Sequence, residues 1–415
     1  MSIRARNRFI ALTCLLAFIG LGFLFYVNWV VQKPFAIILF LTDNLSTSTI
    51  TAARIYEGGS DNRLHLEKLP HLGLLTTQAN DFAVSDSAAA ATAIATGQKV
   101  NNRSVGVDSA GKALVNLIDL ARKQSRAIGL VSNASISDIT PAVFYAKTGN
   151  PHDSLAISTQ LVDSANLDVI LGGGGADFLP EHKDGRRKDG RDLMLEMRGK
   201  GYEIARNKSE LENTPAWKAP RLLGIFSSGN LAFADEIESA GSQPSLAEMV
   251  QQAIQLLQYN RKGYLLIVDA GLVGKAAIQN EGERMLRELL TLDKAVAAAM
   301  GYAGENALVL VAGKQNIGGM KLNGYPFRND RGVAVVGINS QGIPSITWST
   351  GPGSRSQTPA TDSVPSPANE PSAYPTPVAV GVAEDGIIVG SGPGSELLQG
   401  FKDNTDVFRV VSERL

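Results

Sequence analysis

Residues 84–97, "VSDSAAAATAIATG", set an aspartate and a serine, Asp86 and Ser87, at the head of a run of small side chains. A serine hydroxyl is a poor nucleophile until a base or a cation makes it alkoxide-like. Ser87 therefore has two readings. It is a nucleophile, or it is the N-cap of an alanine-rich helix, because Ser, Thr and Asp before an apolar run also open ordinary helices. The local stretch supports both. A second candidate is Asp43, which ends the apolar run "FAIILFLTD". In open α/β sheets, chemistry gathers at the carboxyl ends of the strands. The softer ligands are few: four histidines, His65, His71, His152 and His182, and one cysteine, Cys14.

The elements that must position these residues are legible as apolar runs. "FAIILFL" is followed by "RAIGLVS" (126–132), "DVILGGG" (168–174), "GYLLIVDAG" (263–271), "ALVLVAG" (307–313) and "DGIIVGSG" (385–392). Runs without polar alternation are typical of parallel strands buried on both faces. Helical patterns such as "PSLAEMVQQAIQLLQYN" and "ERMLRELLTLDKAVAAAM" lie between them, which predicts an α/β fold with a mainly parallel central sheet. The Pro- and Ser-rich residues 351–377 predict a long surface loop. The charged stretch "EHKDGRRKDGRD" (181–192) predicts a solvated loop rather than a binding patch.

The N-terminus carries a separate signal. Arg4, Arg6 and Arg8 precede residues 9–31, which contain no charge. That length crosses a hydrocarbon core of roughly 30 Å as a helix. The arginines predict a cytoplasmic tail over 1–8, an uncleaved anchor over 9–31, and residues 32–415 outside the cytoplasm. Tyr26 and Trp29 fall where an interfacial belt would lie, and Cys14 reads as a small membrane-buried residue. A cleaved signal peptide, with its shorter apolar core, is the alternative. The 415 residues have a formal charge of −1 and are 44% apolar. No basic excess points to nucleic acid.

Several segments, taken in order and spacing, resemble the alkaline phosphatase family. They are "FLTD", "STSTITAARIY", "DSAAAATAIATG", "SDITPAVFYA" (137–146), "DVILGGGGADFLP", "KDGRDL", "PSLAEMVQQA", "NGYPFRN" (323–329) and "SITWSTGPG". The resemblance runs from about residue 35 to residue 413. It implies a sandwich with a mainly parallel sheet flanked by helices, a crown-like insertion at about 317–377, and a homodimer. It also implies phosphomonoester hydrolysis by a serine flanked by two zinc ions, with magnesium nearby. Ser87 matches the nucleophile and Asp43 the carboxylate shared between zinc and magnesium. Asp138 and Thr140 match magnesium-site residues, and Asp269 stands where the family has a magnesium-binding glutamate.

The zinc ligands of the family are not matched. The expected Asp and His after the magnesium-site carboxylate are Gly274 and Ile278, and the next Asp-His pair is Gly313 and Lys314. The last histidine position holds Gly381, which leaves only Asp43 of the set. The phosphate-clamping arginine falls at Pro151 or His152. No histidine lies beyond residue 182, whereas catalytic zinc usually takes about three protein ligands, mostly nitrogen and sulfur. No two-zinc centre is expected. Asp43, Asp138, Thr140 and Asp269 offer oxygen only, which suits one magnesium or calcium ion. Alternatively the four are a polar remnant satisfied by water and backbone. Lys275 and Lys314 are placed to pair with these carboxylates and replace the charge of a metal, or to be solvated.

Three functions follow as expectations. The first is a membrane-anchored pseudo-phosphatase kept for binding or assembly, as a homodimer or with other membrane or envelope proteins. The second is a weak Ser87-dependent phosphomonoesterase or phosphodiesterase using one magnesium-like ion. The third, a purely structural surface protein, leaves the oxygen cluster unexplained.

Overall fold

The structure, a computed structural model, describes residues 3–25, 34–323, 336–337, 343–353 and 370–415, apart from 219, 238, 240 and 305. Eight strands set the frame in chain order: β1 (Ala36–Thr42), β2 (His71–Thr76), β3 (Ala127–Ser135), β4 (Val169–Gly173), β5 (Tyr202–Ala205), β6 (Arg221–Ile225), β7 (Tyr264–Asp269) and β8 (Leu308–Gly313). With the strands Gly386–Ser391 and Gly400–Asp403 they form one sheet of ten. The order from one edge is Gly400–Asp403, β2, Gly386–Ser391, β8, β1, β7, β3, β4, β6, β5. From β8 to β5 every pairing is parallel. The strand Gly386–Ser391 runs antiparallel to both its neighbours.

The apolar runs are explained by burial on both faces. Every residue of β1 is buried. Ile38 and Phe40 point into a core shared with the helices Leu246–Leu257 and Gly282–Ala303. Ile37, Leu39 and Leu41 point into the opposite core, with Ala88, Ala91 and Ile94 of the helix Ser87–Thr96. A parallel strand covered by helices on both sides has no solvent face, so the alternation that would mark a half-exposed strand is missing. The expected α/β sandwich is present.

Two local expectations are corrected. The helix after residue 86 is capped by Asp86, whose carboxylate accepts from the Ala89 N–H at 2.8 Å, and Ser87 is its first helical residue rather than its cap. Aspartate and serine are equally good caps, so sequence could not choose between adjacent candidates. Residues 351–377 are not all loop. Ser372–Pro375 is a strand that pairs in parallel with Ile346–Gly351, which pairs in turn with Lys321–Leu322. Only Ser372 of that strand is buried, so no apolar pattern announced it. Residues 354–369, and most of "NGYPFRN", lie outside the described residues.

One N-terminal helix, Ile3–Phe25, is long and apolar enough over Ile3–Leu24 to cross a membrane, and none of it is buried against the protein. Arg4, Arg6 and Arg8 lie in its first turns. The remainder of the expected anchor, with Tyr26 and Trp29, lies outside the described residues.

Candidate functional site

Three adjacent strand ends build the site. Parallel register places Leu41 beside Asp269 and Thr42 beside Gly313. The residues that leave β1, β7 and β8, namely Asp43, Asp269 and Lys314, therefore meet on one ridge. On the other side of β7, Ser132 of β3 is in register with Asp269.

The ridge holds a buried ion pair. Lys314 is 1% exposed and Asp43 7%, and the Lys314 ammonium donates to Asp43 Oδ1. Taking either charge from water alone would cost several kcal/mol, so each is tolerable only with the other. Lys314 Nζ also donates to Ser87 Oγ at 3.2 Å, and Gln315 Nε2 donates to the same oxygen at 2.6 Å. The Asp86 carboxylate is committed elsewhere, to the N–H groups of Ala89 and Arg103 at 2.8 and 2.7 Å. Ser87 Oγ is thus flanked by donors. That arrangement stabilises negative charge at Oγ and, among the described residues, puts no imidazole or carboxylate acceptor in a hydrogen bond with its proton.

A second pair lies alongside. Lys275 Nζ is 2.6 Å from Asp138 Oδ2. Burial opposes the charge on Lys275, but the Asp138 carboxylate and its hydrogen bond outweigh burial and hold the ammonium pKa above its ordinary value. Asp138 also caps the short helix Ile139–Ala142, in which Thr140 is buried. Asp269 is fully enclosed. Burial pushes its pKa up to about 7, against the lowering effects of the Lys314 charge and a 2.7 Å bond from Ser132 Oγ, with Asp138 and Asp43 adding to the rise. Its other oxygen, Oδ1, is buried without a hydrogen-bond partner.

The glycines are packed rather than open. A Cβ on Gly274 would fall on Asp43 Oδ2, and one on Gly313 would lie 2.9 Å from both Cβ and the carbonyl oxygen of Leu45. A Cβ on Gly381 would meet Val84 Cγ1 at 3.0 Å. Ile278 is half-buried against the apolar core. Among the described residues, no group of three or more His, Cys, Asp or Glu side chains is arranged to hold a metal ion.

Sequence reasoning missed Gln315, Ser132 and Arg186. Gln315 carries no signal beyond its place just after β8, and Ser132 none beyond its place within β3. Arg186 lies in the stretch expected to be a solvated loop, and most of that stretch is exposed. The neighbouring Arg187 is buried and donates to Asp177 O, Leu155 O and Ser158 Oγ, at 3.1, 3.2 and 3.2 Å. Arg186 is held at its base by the buried carboxylate of Asp177, through Nε at 3.0 Å, while its side chain stays 61% exposed. It lines a pocket of ≈ 450 Å³ together with Asp138, Lys275, Pro151 and His152.

The alkaline phosphatase family model matches residues 35–415. The chain is 28% identical over 421 residues to the tissue-nonspecific alkaline phosphatase isozyme of Gallus gallus, covering 88% of this chain and 81% of that protein. It is 29% identical over 375 residues to a membrane-bound alkaline phosphatase of Bombyx mori, covering 77% and 68%. The crystal structure of Thermus thermophilus alkaline phosphatase superposes with a TM-score of 0.74 at 25% identity, covering 93% of this chain and 92% of that one.

Proposed function

This chain belongs to the alkaline phosphatase family, and we propose that within it the protein is a membrane-anchored pseudo-phosphatase whose lysines stand in for metal ions. The observation that carries the reading is Lys314, almost fully buried against Asp43 with its ammonium 3.2 Å from Ser87 Oγ. A fixed positive charge occupies the space beside the nucleophile's position. Lys275 does the same for Asp138.

The family normally binds metal ions, so the fit of the residues to zinc matters. Gly274, Gly313 and Gly381 have no side chain to donate, Ile278 is apolar, and Lys314 is a cation. Gly274 is moreover packed against the carboxylate a zinc would need. The donor set does not fit two zinc ions. Hydrolysis at a fast rate requires an activated serine and stabilisation of both the phosphoryl group and the leaving oxygen. Loss of one such stabiliser commonly costs about 10²–10³ in rate. Groups that act as a unit are not restored singly. What remains around Ser87 Oγ is two hydrogen-bond donors, the Lys314 ammonium and the Gln315 amide, with the charges of Lys314 and Lys275 balanced by Asp43 and Asp138.

The second reading is a weak Ser87-dependent phosphomonoesterase or phosphodiesterase with one magnesium or calcium ion. The observation in its favour is Asp269 Oδ1, buried without a partner and close in charge to Asp43 and Asp138. Against it, Asp43 and Asp138 are already paired with lysines. The apolar helix Ile3–Phe25 supports an uncleaved anchor with its arginines in the cytoplasm and the domain outside. A homodimer, or an assembly with other membrane or envelope proteins, follows from family membership as a proposal.

The deciding experiment is turnover of an activated aryl phosphate with added magnesium or zinc, wild type beside Ser87→Ala, with metal content measured on the same samples. We expect no two-zinc centre and no Ser87-dependent turnover above background. Ser87-dependent turnover at about 1–10³ per second, an ordinary enzyme rate, would sink the pseudoenzyme reading. Slow Ser87-dependent turnover with one bound divalent ion would favour the second.

A further inference from the structure

The chain enters the sheet at the end opposite the Ser87 site. Ala36 of β1 is in register with Tyr264 of β7, and Tyr264 with Ala127 of β3, so these strand starts lie level. The entry point is pinned. Phe35 O accepts from Tyr264 N at 3.3 Å. The Arg126 guanidinium lies over the Phe35 ring and donates to the Arg414 and Leu415 carbonyls at 2.9 and 3.1 Å. The uncharged stretch of the proposed anchor ends at residue 31, so four residues, 32–35, join it to β1. Fully extended, they span at most roughly 14 Å. With the anchor in a bilayer, this end of the sheet is held against the headgroups and the Ser87 end faces away.

That end is basic. The segments entering β3 to β8 (122–126, 166–168, 199–201, 216–220, 259–263 and 304–307) hold seven basic residues against two acidic ones, Asp168 and Glu305. Asp168 is turned inward, its carboxylate accepting from the Ile128 N–H at 2.8 Å. Arg122 is paired with Asp119, and the chain end adds Glu413 beside Arg414, so the charge is uneven over the face. It is concentrated beside Phe35. Asn260 Nδ2 donates to Ser125 O at 3.0 Å and ties the segments before β3 and β7 together. Lys123 and Lys262 of those segments are exposed and make no ion pair among the described residues. Ammonium groups within a Debye length of an anionic bilayer, about 10 Å at 0.1 M salt, each favour contact by roughly fivefold.

We infer that the strand-start end of the domain docks on anionic phospholipid headgroups of the bilayer that holds its own anchor, through Lys123 and Lys262. The inference rests on the anchor reading, and its test separates the two. Full-length protein carrying Cys14→Ser is placed in nanodiscs that contain a nitroxide-headgroup lipid, with or without about 30% phosphatidylglycerol. A fluorophore is carried on Gln124→Cys at the strand-start end, or on Ser228→Cys beyond the far end of β6, both exposed positions. Quenching at 124 should rise at least about twofold with phosphatidylglycerol, and the rise should vanish in about 0.5 M salt. Lys123→Glu with Lys262→Glu should abolish the rise while the thermal midpoint stays unchanged. The probe at 228 should stay unquenched in every disc. A probe at 124 that ignores phosphatidylglycerol, or a rise that survives both Glu substitutions, overturns the docking surface and leaves the anchor standing. Equal quenching at 124 and 228 also overturns it. Disulfide cross-links through Gln124→Cys in discs holding two chains would assign the face to a second copy instead. Protein that does not enter the discs overturns the anchor and the docking surface together.

Discussion

At the scale of single residues, the Lys314–Asp43 pair governs what the site can be. Removing one member leaves a charge buried alone, which is strongly destabilising, about 3–5 kcal/mol, whereas replacing both by uncharged groups can be near neutral. Lys314→Met should therefore lower the denaturation midpoint sharply, and Asp43→Asn combined with Lys314→Met should recover much of the loss. Additive effects in a double-mutant cycle would show that the two charges do not support each other. The same crowding predicts the fate of attempts to rebuild metal ligands. Gly274→Asp pushes its Cβ onto Asp43 Oδ2, an overpacking that typically costs 1–3 kcal/mol. The variant should be less stable than wild type and should bind no additional zinc by elemental analysis. A stable Gly274→Asp protein with stoichiometric zinc would contradict the packing argument.

At the scale of elements, one helix cap positions the site, and buried carboxylates tie other elements of the fold together. The cap Asp86 fixes where the Ser87–Thr96 helix begins and so where Ser87 Oγ points. Asp86→Ala should destabilise by about 1 kcal/mol and, by releasing the Arg103 loop, broaden the Ser87 environment in NMR spectra; an unchanged midpoint would refute the capping role. Glu370 ties the strand after residue 370 to the helix Gly282–Ala303, accepting from Gly282 N at 2.7 Å and Trp348 Nε1 at 3.0 Å. Burial pushes Glu370 up to about 7, and burial does the same to Glu288. The folded state then holds protons that the unfolded chain, with ordinary glutamates, has already released. Stability should accordingly fall as pH rises from about 4.5 to about 7 and level off above it. Glu370→Gln should make that slope shallower, and denaturation midpoints across pH 5–8 would check the sign.

At the scale of the whole molecule, the chain joins one apolar helix to a two-cored α/β domain. With an uncleaved anchor, protease added to intact cells stripped of outer barriers should digest the domain but leave an N-terminal fragment in the membrane. Deleting residues 1–25 should release the domain into the soluble fraction. A mature chain beginning after residue 22, or a domain protected from protease, would overturn that topology.

Sequence by itself determined the residue types and six of the sheet's ten strands, but not β2, β5, β6 or Gly400–Asp403. β1, β7 and β8 were readable because strands covered on both faces tolerate almost nothing but apolar side chains, and a buried run leaves no alternation to misread. It also shows that no histidine lies beyond residue 182, which is what the proposal of a missing two-zinc centre starts from. Other features were invisible to it. The strand Ser372–Pro375 buries one residue and has no pattern. The choice of Asp86 over Ser87 as cap depends on backbone angles that either residue can adopt. Which lysine meets which carboxylate, that Gln315 reaches Ser87 Oγ, and that Arg186 is gripped by Asp177 were decided only by tertiary structure. Those contacts join residues up to 271 positions apart. Parallel register, not local sequence, sets which strand ends become neighbours.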